Sequence, residues 1–190
     1  MTRSLRLWRE RVTETAREMA ARGLVRGSSG NVSVRVGDTV LITPTRIPYA
    51  YLRARQVVAI DLAGKALSGS GGPSSEWRLH VAIYRARADV RAIVHTHSPY
   101  ATAVAVPLPE LPVAHDEGEL LFGRAIPVAR HAPPGTWDLA HAAVAALGGG
   151  NAVLLARHGA VAVGSTLRQA LDLAEKLEET AQLFSFRFPD

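Results

Sequence analysis

The segment Ala92-Ile93-Val94-His95-Thr96-His97 constrains this chain more than any other. An apolar run of this kind reads as a buried strand, and residues two apart on a strand share a face. His95 and His97 therefore stand side by side where the strand leaves the core. Neutral imidazole is a common ligand of zinc and similar ions, so the pair forms half of a tetrahedral site. Two polar residues at a strand exit fit the same pattern, and the pair alone does not separate the two readings. A metal requires a third ligand.

The chain has no Cys, which removes thiolate catalysis, disulfides and Cys-based zinc sites together. Any metal must use His and carboxylates. His158 is the best third ligand, because Val153-Leu154-Leu155-Ala156 sets it at a strand end and Gly159 lets backbone approach closely. A strand-end His bonded to backbone is the alternative. His80 lies mid-helix and His141 on an Ala-rich helix, both read as packing or surface residues, while His115 and His131 fall in loops. Glu76 sits in the first turn of a helix begun by Ser74-Ser75, where the helix dipole favours a negative charge. The same position suits a general acid/base beside an ion. Ser74 and Ser75 either cap that helix or, with Gly30, Asn31 and Thr45, offer donors to one phosphate. Lys65, in a Gly-flanked turn, and Lys176, on a polar helix face, lack the apolar setting of a Schiff-base lysine, so carbonyl chemistry here would use a metal as electron sink.

The length of 190 residues with 47% apolar content fits one domain over residues 1–190. Helical spacing of Leu5, Trp8, Val12, Ala16 and Met19 predicts a first helix to about Arg22. Alternation at Val32, Val34 and Val36, a turn at Gly37-Asp38 and the run Val40-Leu41-Ile42 predict a hairpin. Strands follow at Val57–Leu62, around His95, at Asn151–Ala156 and at Ala160–Val163. Further helices are expected after Ser75, from Pro99 to Val106, from Thr136 to Ala146 and from Leu167 onward, with short strands and loops between Pro107 and Pro134. Helices mixed with hairpin-connected strands indicate an α/β sandwich around a largely antiparallel sheet. No apolar run is long enough to cross a bilayer, and Met1 to Glu10 carries charges where a secretory signal needs an apolar core, so a cytoplasmic protein without a membrane partner is expected. The net charge of +5 comes from Arg residues scattered among acids, which does not predict a nucleic-acid partner.

Five motifs in order resemble the class II aldolase/adducin family: Gly30-Asn31-Val32-Ser33-Val34-Arg35, Leu41-Ile42-Thr43-Pro44-Thr45, Pro73-Ser74-Ser75-Glu76-Trp77-Arg78, Val94-His95-Thr96-His97 and Arg157-His158-Gly159. The resemblance spans about Glu14 through the final helix. It implies an α/β/α sandwich on a mainly antiparallel sheet, forming a homotetramer with interfacial active sites. It further implies one zinc, or another divalent ion, on His95, His97 and His158, a general acid/base at Glu76, and phosphate contacts from Gly30, Asn31, Thr45, Ser74 and Ser75. The chemistry implied is reversible cleavage of a ketose 1-phosphate to dihydroxyacetone phosphate and an aldehyde through a metal-stabilised enediolate. Related members are decarboxylases, dehydratases and 4-epimerases acting on sugar phosphates or sugar acids, and adducin heads are assembly modules. Glu76 matches the aldolases, the epimerase having Asp there. Two positions depart from the fuculose-phosphate aldolase pattern: Arg46 replaces a Gly after Thr45 and so adds a guanidinium to the phosphate site or crowds it, and Asp116 replaces a Tyr that a neighbouring subunit supplies.

Overall fold

The structure is a computed structural model describing residues 3–106 and 108–187; the ends of the expected domain and Pro107 lie outside them. The apolar spacing at the N-terminus becomes α1 (Arg3–Ala21), whose Val12, Ala16 and Met19 are fully buried. The hairpin forms as β1 (Asn31–Val36) and β2 (Thr39–Ile42), with Val36 opposite Thr39. The chain continues through β3 (Val58–Asp61), β4 (Ala66–Ser68), α2 (Trp77–Ala86), β5 (Ala92–Thr96) and α3 (Pro99–Val104). It then forms β6 (Glu110–Pro112), α4 (Asp116–Phe122), β7 (Ala125–Ala129), α5 (Trp137–Leu147), β8 (Ala152–Leu155), β9 (Gly159–Gly164) and α6 (Leu167–Arg187).

The strands make one sheet in the order β4-β3-β2-β1-β5-β9-β8-β7-β6. All neighbours are antiparallel except β7 and β8, which are parallel. Helices cover both faces, as the α/β/α expectation requires. On one face α1 and α6 pack on Val32, Val34, Ala92 and Val94; on the other α2 and α5 pack on Val40, Ile42, Ile93 and Val161. The two-residue period of β5 thus sends Val94 toward α1 and α6, and Ile93, followed by His95, toward the α2 side. β5 lies mid-sheet between β1 and β9, and all five of its residues are buried.

Two elements depart from the expectation of loops and turns. The stretch Ala66–Ser68 pairs with β3 as a short, mostly exposed edge strand. The Pro/Gly-rich region contains α4, capped by His115, whose Nδ1 accepts the Gly118 N–H at 3.1 Å. Thr136 caps α5 as expected, its hydroxyl accepting from the Leu139 N–H at 3.2 Å. Among the described residues no helix is long and apolar enough to cross a membrane.

Candidate active site

β5 delivers His95 and His97 to one end of the sheet. Asn31, on the neighbouring β1, lies opposite His95, and the β8–β9 turn brings His158 in from the other side. That turn is tight: Arg157 takes φ 62° and the His158 N–H bonds the Leu155 carbonyl at 3.0 Å. A Cβ on Gly159 would lie 2.1 Å from the Thr96 carbonyl oxygen. Only glycine therefore lets the turn rest on the end of β5. Gly30 is held as closely, since its φ is 68° and a Cβ would fall 2.5 Å from the His95 carbonyl oxygen.

Glu76 occupies the N-cap position of α2, yet its side chain makes no capping bond; Ser74 Oγ instead accepts the Glu76 N–H at 3.3 Å. The carboxylate turns to the histidines. Its Oε2 lies 3.0 Å from His95 Nε2, and its Oε1 lies 3.3 Å from His158 Nε2. The Nε2 atoms of His95 and His97 are 3.0 Å apart, and one donor atom from each of the four residues falls within 4.8 Å of the others.

These donors suit a divalent ion. His95 Nδ1 lies 2.9 Å from the Ala160 carbonyl, which can only accept, so Nδ1 carries a proton and Nε2 is the atom that would ligate an ion, giving up its own proton to do so. Ligand atoms ~2.0–2.1 Å from a tetrahedral ion stand ~3.3 Å from one another, and the His95 and His97 nitrogens, 3.0 Å apart, come close to that spacing. Glu76 Oε1 is buried and makes no hydrogen bond, so a charged acceptor is left open inside the cluster. Burial, reinforced by the charge of His95, pushes His97 down to about 3 and His158 down to about 4. Both stay in the neutral, ligating form at neutral pH. Burial opposes ionisation of Glu76, but His95, His158 and the Asn31 amide outweigh it and hold the carboxyl below its ordinary range.

Of the residues expected to hold a phosphate, Thr45, Arg46, Ser74 and Ser75 lie on two paired segments, the second leading into Glu76, while Gly30 and Asn31 lie at the start of β1. Ser74 N–H donates to the Thr43 carbonyl at 2.9 Å, Thr45 N–H donates to the Gly72 carbonyl at 3.2 Å, and Pro44 bridges Pro73. Ser75 and Arg46 are exposed at this rim, and Arg46 adopts φ 61°, a conformation that favours glycine. The Asn31 side chain is engaged elsewhere: its Nδ2 donates to Glu76 Oε2 at 3.0 Å and its Oδ1 meets His80 Nε2. His80, expected as a packing or surface residue, is fully buried and polar-bonded at both ring nitrogens. The signal that could have found it is the four-residue spacing of Glu76, His80 and Tyr84 on one helix face, opposite Asn31 and Ser33 on one strand face. His115 bonds Thr180 Oγ1 at 3.1 Å and His141 stacks on Trp137, so neither joins the site.

The profile of the Class II Aldolase and Adducin N-terminal domain matches residues 10–185. The chain belongs to the class II aldolase and adducin family. It is 41% identical over 176 residues to the 5-methylthioribulose-1-phosphate/5-deoxyribulose-1-phosphate aldolase of Rhodospirillum rubrum, covering 93% of this chain and 79% of that protein. It is 42% identical over 173 residues to the L-fuculose phosphate aldolase of Escherichia coli K12, covering 91% and 80%. Among solved structures, an L-fuculose 1-phosphate aldolase superposes with a TM-score of 0.91 at 31% identity, covering 96% of this chain and 91% of that one. Like these relatives, this member of the class II aldolase family is a lyase.

Proposed function

We propose that the chain cleaves a ketose 1-phosphate reversibly to dihydroxyacetone phosphate and an aldehyde, with one zinc ion held by His95, His97 and His158. The convergence of three imidazole Nε2 atoms on a buried carboxylate whose Oε1 has no hydrogen-bond partner carries this reading, and the names of the relatives agree with it. When bound, the ion supplies Lewis acidity to the substrate's carbonyl and adjacent hydroxyl. In the cleavage direction the bond between C3 and C4 breaks with its electron pair going to the C3 fragment. The ionised Glu76 takes up the proton that the C4 hydroxyl loses as the aldehyde forms, and delivers it to C3. In the synthetic direction Glu76, ionised at neutral pH, withdraws that proton.

Ser74, Ser75, Thr45 and the Gly30-Asn31 backbone bind the phosphate, so that remote binding energy orients the reacting bond. Arg46, exposed beside Thr45 in a strained backbone conformation, favours a second reading in which the substrate carries an additional acidic group and is decarboxylated, dehydrated or epimerised at the same site. The buried donor cluster argues against a purely assembling, adducin-like role, which has no use for it. A homotetramer in the cytoplasm completes the proposal. Leu120 at 87% and Phe186 at 66% exposure supply the apolar surface that self-association would cover.

The test is metal analysis of the untagged protein, followed by assay on ketose 1-phosphates and phosphorylated sugar acids. About one zinc per chain and release of dihydroxyacetone phosphate support the aldolase. Carbon dioxide release or epimer formation without that product would move the assignment to the second reading. A protein that takes up no metal overturns both.

A further inference from the structure

We infer that His80, backed by Ser33 and Tyr84, is a positioning residue that fixes the Glu76 carboxylate through the side chain of Asn31. Glu76, His80 and Tyr84 form one ridge along α2, and Asn31 and Ser33 share one face of β1. The two rows interdigitate. Asn31 Nδ2 lies 3.0 Å from Glu76 Oε2, Asn31 Oδ1 meets His80 Nε2, His80 Nδ1 lies 2.6 Å from Ser33 Oγ, and Ser33 Oγ lies 2.7 Å from Tyr84 OH. Asn31, Ser33, His80 and Tyr84 are all at most 2% exposed, so no water competes along the row.

Donor and acceptor capacities fix the direction of every bond. The ionised Glu76 only accepts, so Asn31 donates through Nδ2 and its Oδ1 is left to accept. His80 must then carry its proton on Nε2. A neutral ring accepts at Nδ1, so Ser33 donates its hydroxyl proton there and in turn accepts from Tyr84 OH, whose second contact, the Arg91 carbonyl, is longer at 3.4 Å. Burial, with the charge of His95 adding to it, pushes His80 down to about 3, in keeping with the neutral ring. Four donors in series point their protons toward Glu76. Bonds aligned in this way polarise one another and hold the acceptor in one orientation. The row fixes Glu76 Oε2, leaving Oε1 facing His158 and the reacting carbon. None of the three outer residues touches the cluster's donor atoms directly.

The inference rests on the proposed role of Glu76, so its test has one arm that needs no substrate. Nitrogen-15 NMR of histidine-labelled protein should show His80 as the Nε2–H tautomer. The Asn31 amide protons should be protected from exchange in the parent and lose that protection in Glu76→Ala. In the second arm, metal-loaded variants are assayed on the ketose 1-phosphate that the parent cleaves best. His80→Phe should lower kcat about 10- to 100-fold, the usual effect of losing an outer-shell partner, with KM within about twofold of the parent and metal content unchanged. His80→Gln, which keeps an N–H for Asn31 Oδ1, should recover most of the loss. Tyr84→Phe should lower kcat about two- to tenfold, one neutral hydrogen bond's worth. A His80 proton on Nδ1 overturns the inference. So does a His80→Phe or Tyr84→Phe enzyme with parental kcat, or a His80→Gln enzyme no better than His80→Phe. If His80→Phe does not fold, Tyr84→Phe and His80→Gln decide. If the parent cleaves no ketose phosphate, the functional proposal falls and the NMR arm alone decides the network.

Discussion

The candidate metal cluster and the proposed anion rim are neighbours built on opposite plans. The cluster takes two of its side chains from the end of a central strand and a third from a turn pressed against it, and His95, at its middle, is wholly buried. The rim consists of two loop segments joined through backbone bonds, with Ser75 and Arg46 open to solvent. Strands hold reacting groups to fractions of an ångström, whereas loops tolerate substitution and carry specificity. On the proposed function, the sheet fixes the chemistry and the rim chooses the substrate.

Substitutions should divide along this line. The largest effect belongs to His97→Ala, which should abolish metal retention and reduce turnover to background; metal analysis alongside the assay checks it. Glu76→Gln should keep the metal and lower kcat about 10²- to 10⁴-fold, the usual worth of a positioned acid/base. At the rim, Ser75→Ala should raise KM about tenfold or more, as expected for one hydrogen bond to a charged group, and leave kcat within about twofold. A turnover loss as severe as that of His97→Ala would erase the division between chemistry and binding.

Acid should act on the cluster side. The folded-state value of His80 is about 3 against about 6.5 for a free imidazole. Between these values the unfolded chain binds the extra proton. The contribution is therefore complete above pH ~6.5 and is lost as pH falls toward 3, amounting to about 2–3 kcal/mol by pH 4.5. His97 and His158, also lowered, add in the same direction in metal-free protein. Glu76, likewise lowered, loses its share in the more acidic range below the free carboxyl value, whereas His95, raised, contributes in full below about pH 6.5 and loses its share only as pH rises. Denaturant midpoints of metal-free protein at pH 7 and 4.5 test the sum. The smallest effect is expected for Arg46→Gly: relief of the left-handed backbone, worth about 1–2 kcal/mol, is largely offset by the freedom glycine adds to the unfolded chain. The net change in stability should be under about 1 kcal/mol, while the preference between neutral and acidic substrates shifts.

Strand alternation made His95 and His97 legible as a pair, and the apolar run before His158-Gly159 made the third histidine legible, because each is a property of one short segment. The helix α4 was hidden because it is only seven residues long, opens on a His cap and lies among turn residues. The parallel pairing of β7 with β8 leaves no local mark at all. His80 reads in isolation as a core residue, and the bonds that give it meaning come from β1, far away in sequence. The φ of Arg46 is likewise a property of the folded loop, not of the residue type.

The closeness of Gly159 to the end of β5 has a consequence for how the chain is tied together. A single ion on His95, His97 and His158 would cross-link the end of β5 to the β8–β9 turn, separated by the whole stretch from α3 through β8, in a chain whose lack of Cys denies it any disulfide. Such a bond closes a long loop that the unfolded chain would otherwise leave free. The ion is then a staple as well as a catalyst, and chelation should lower the melting temperature along with the activity.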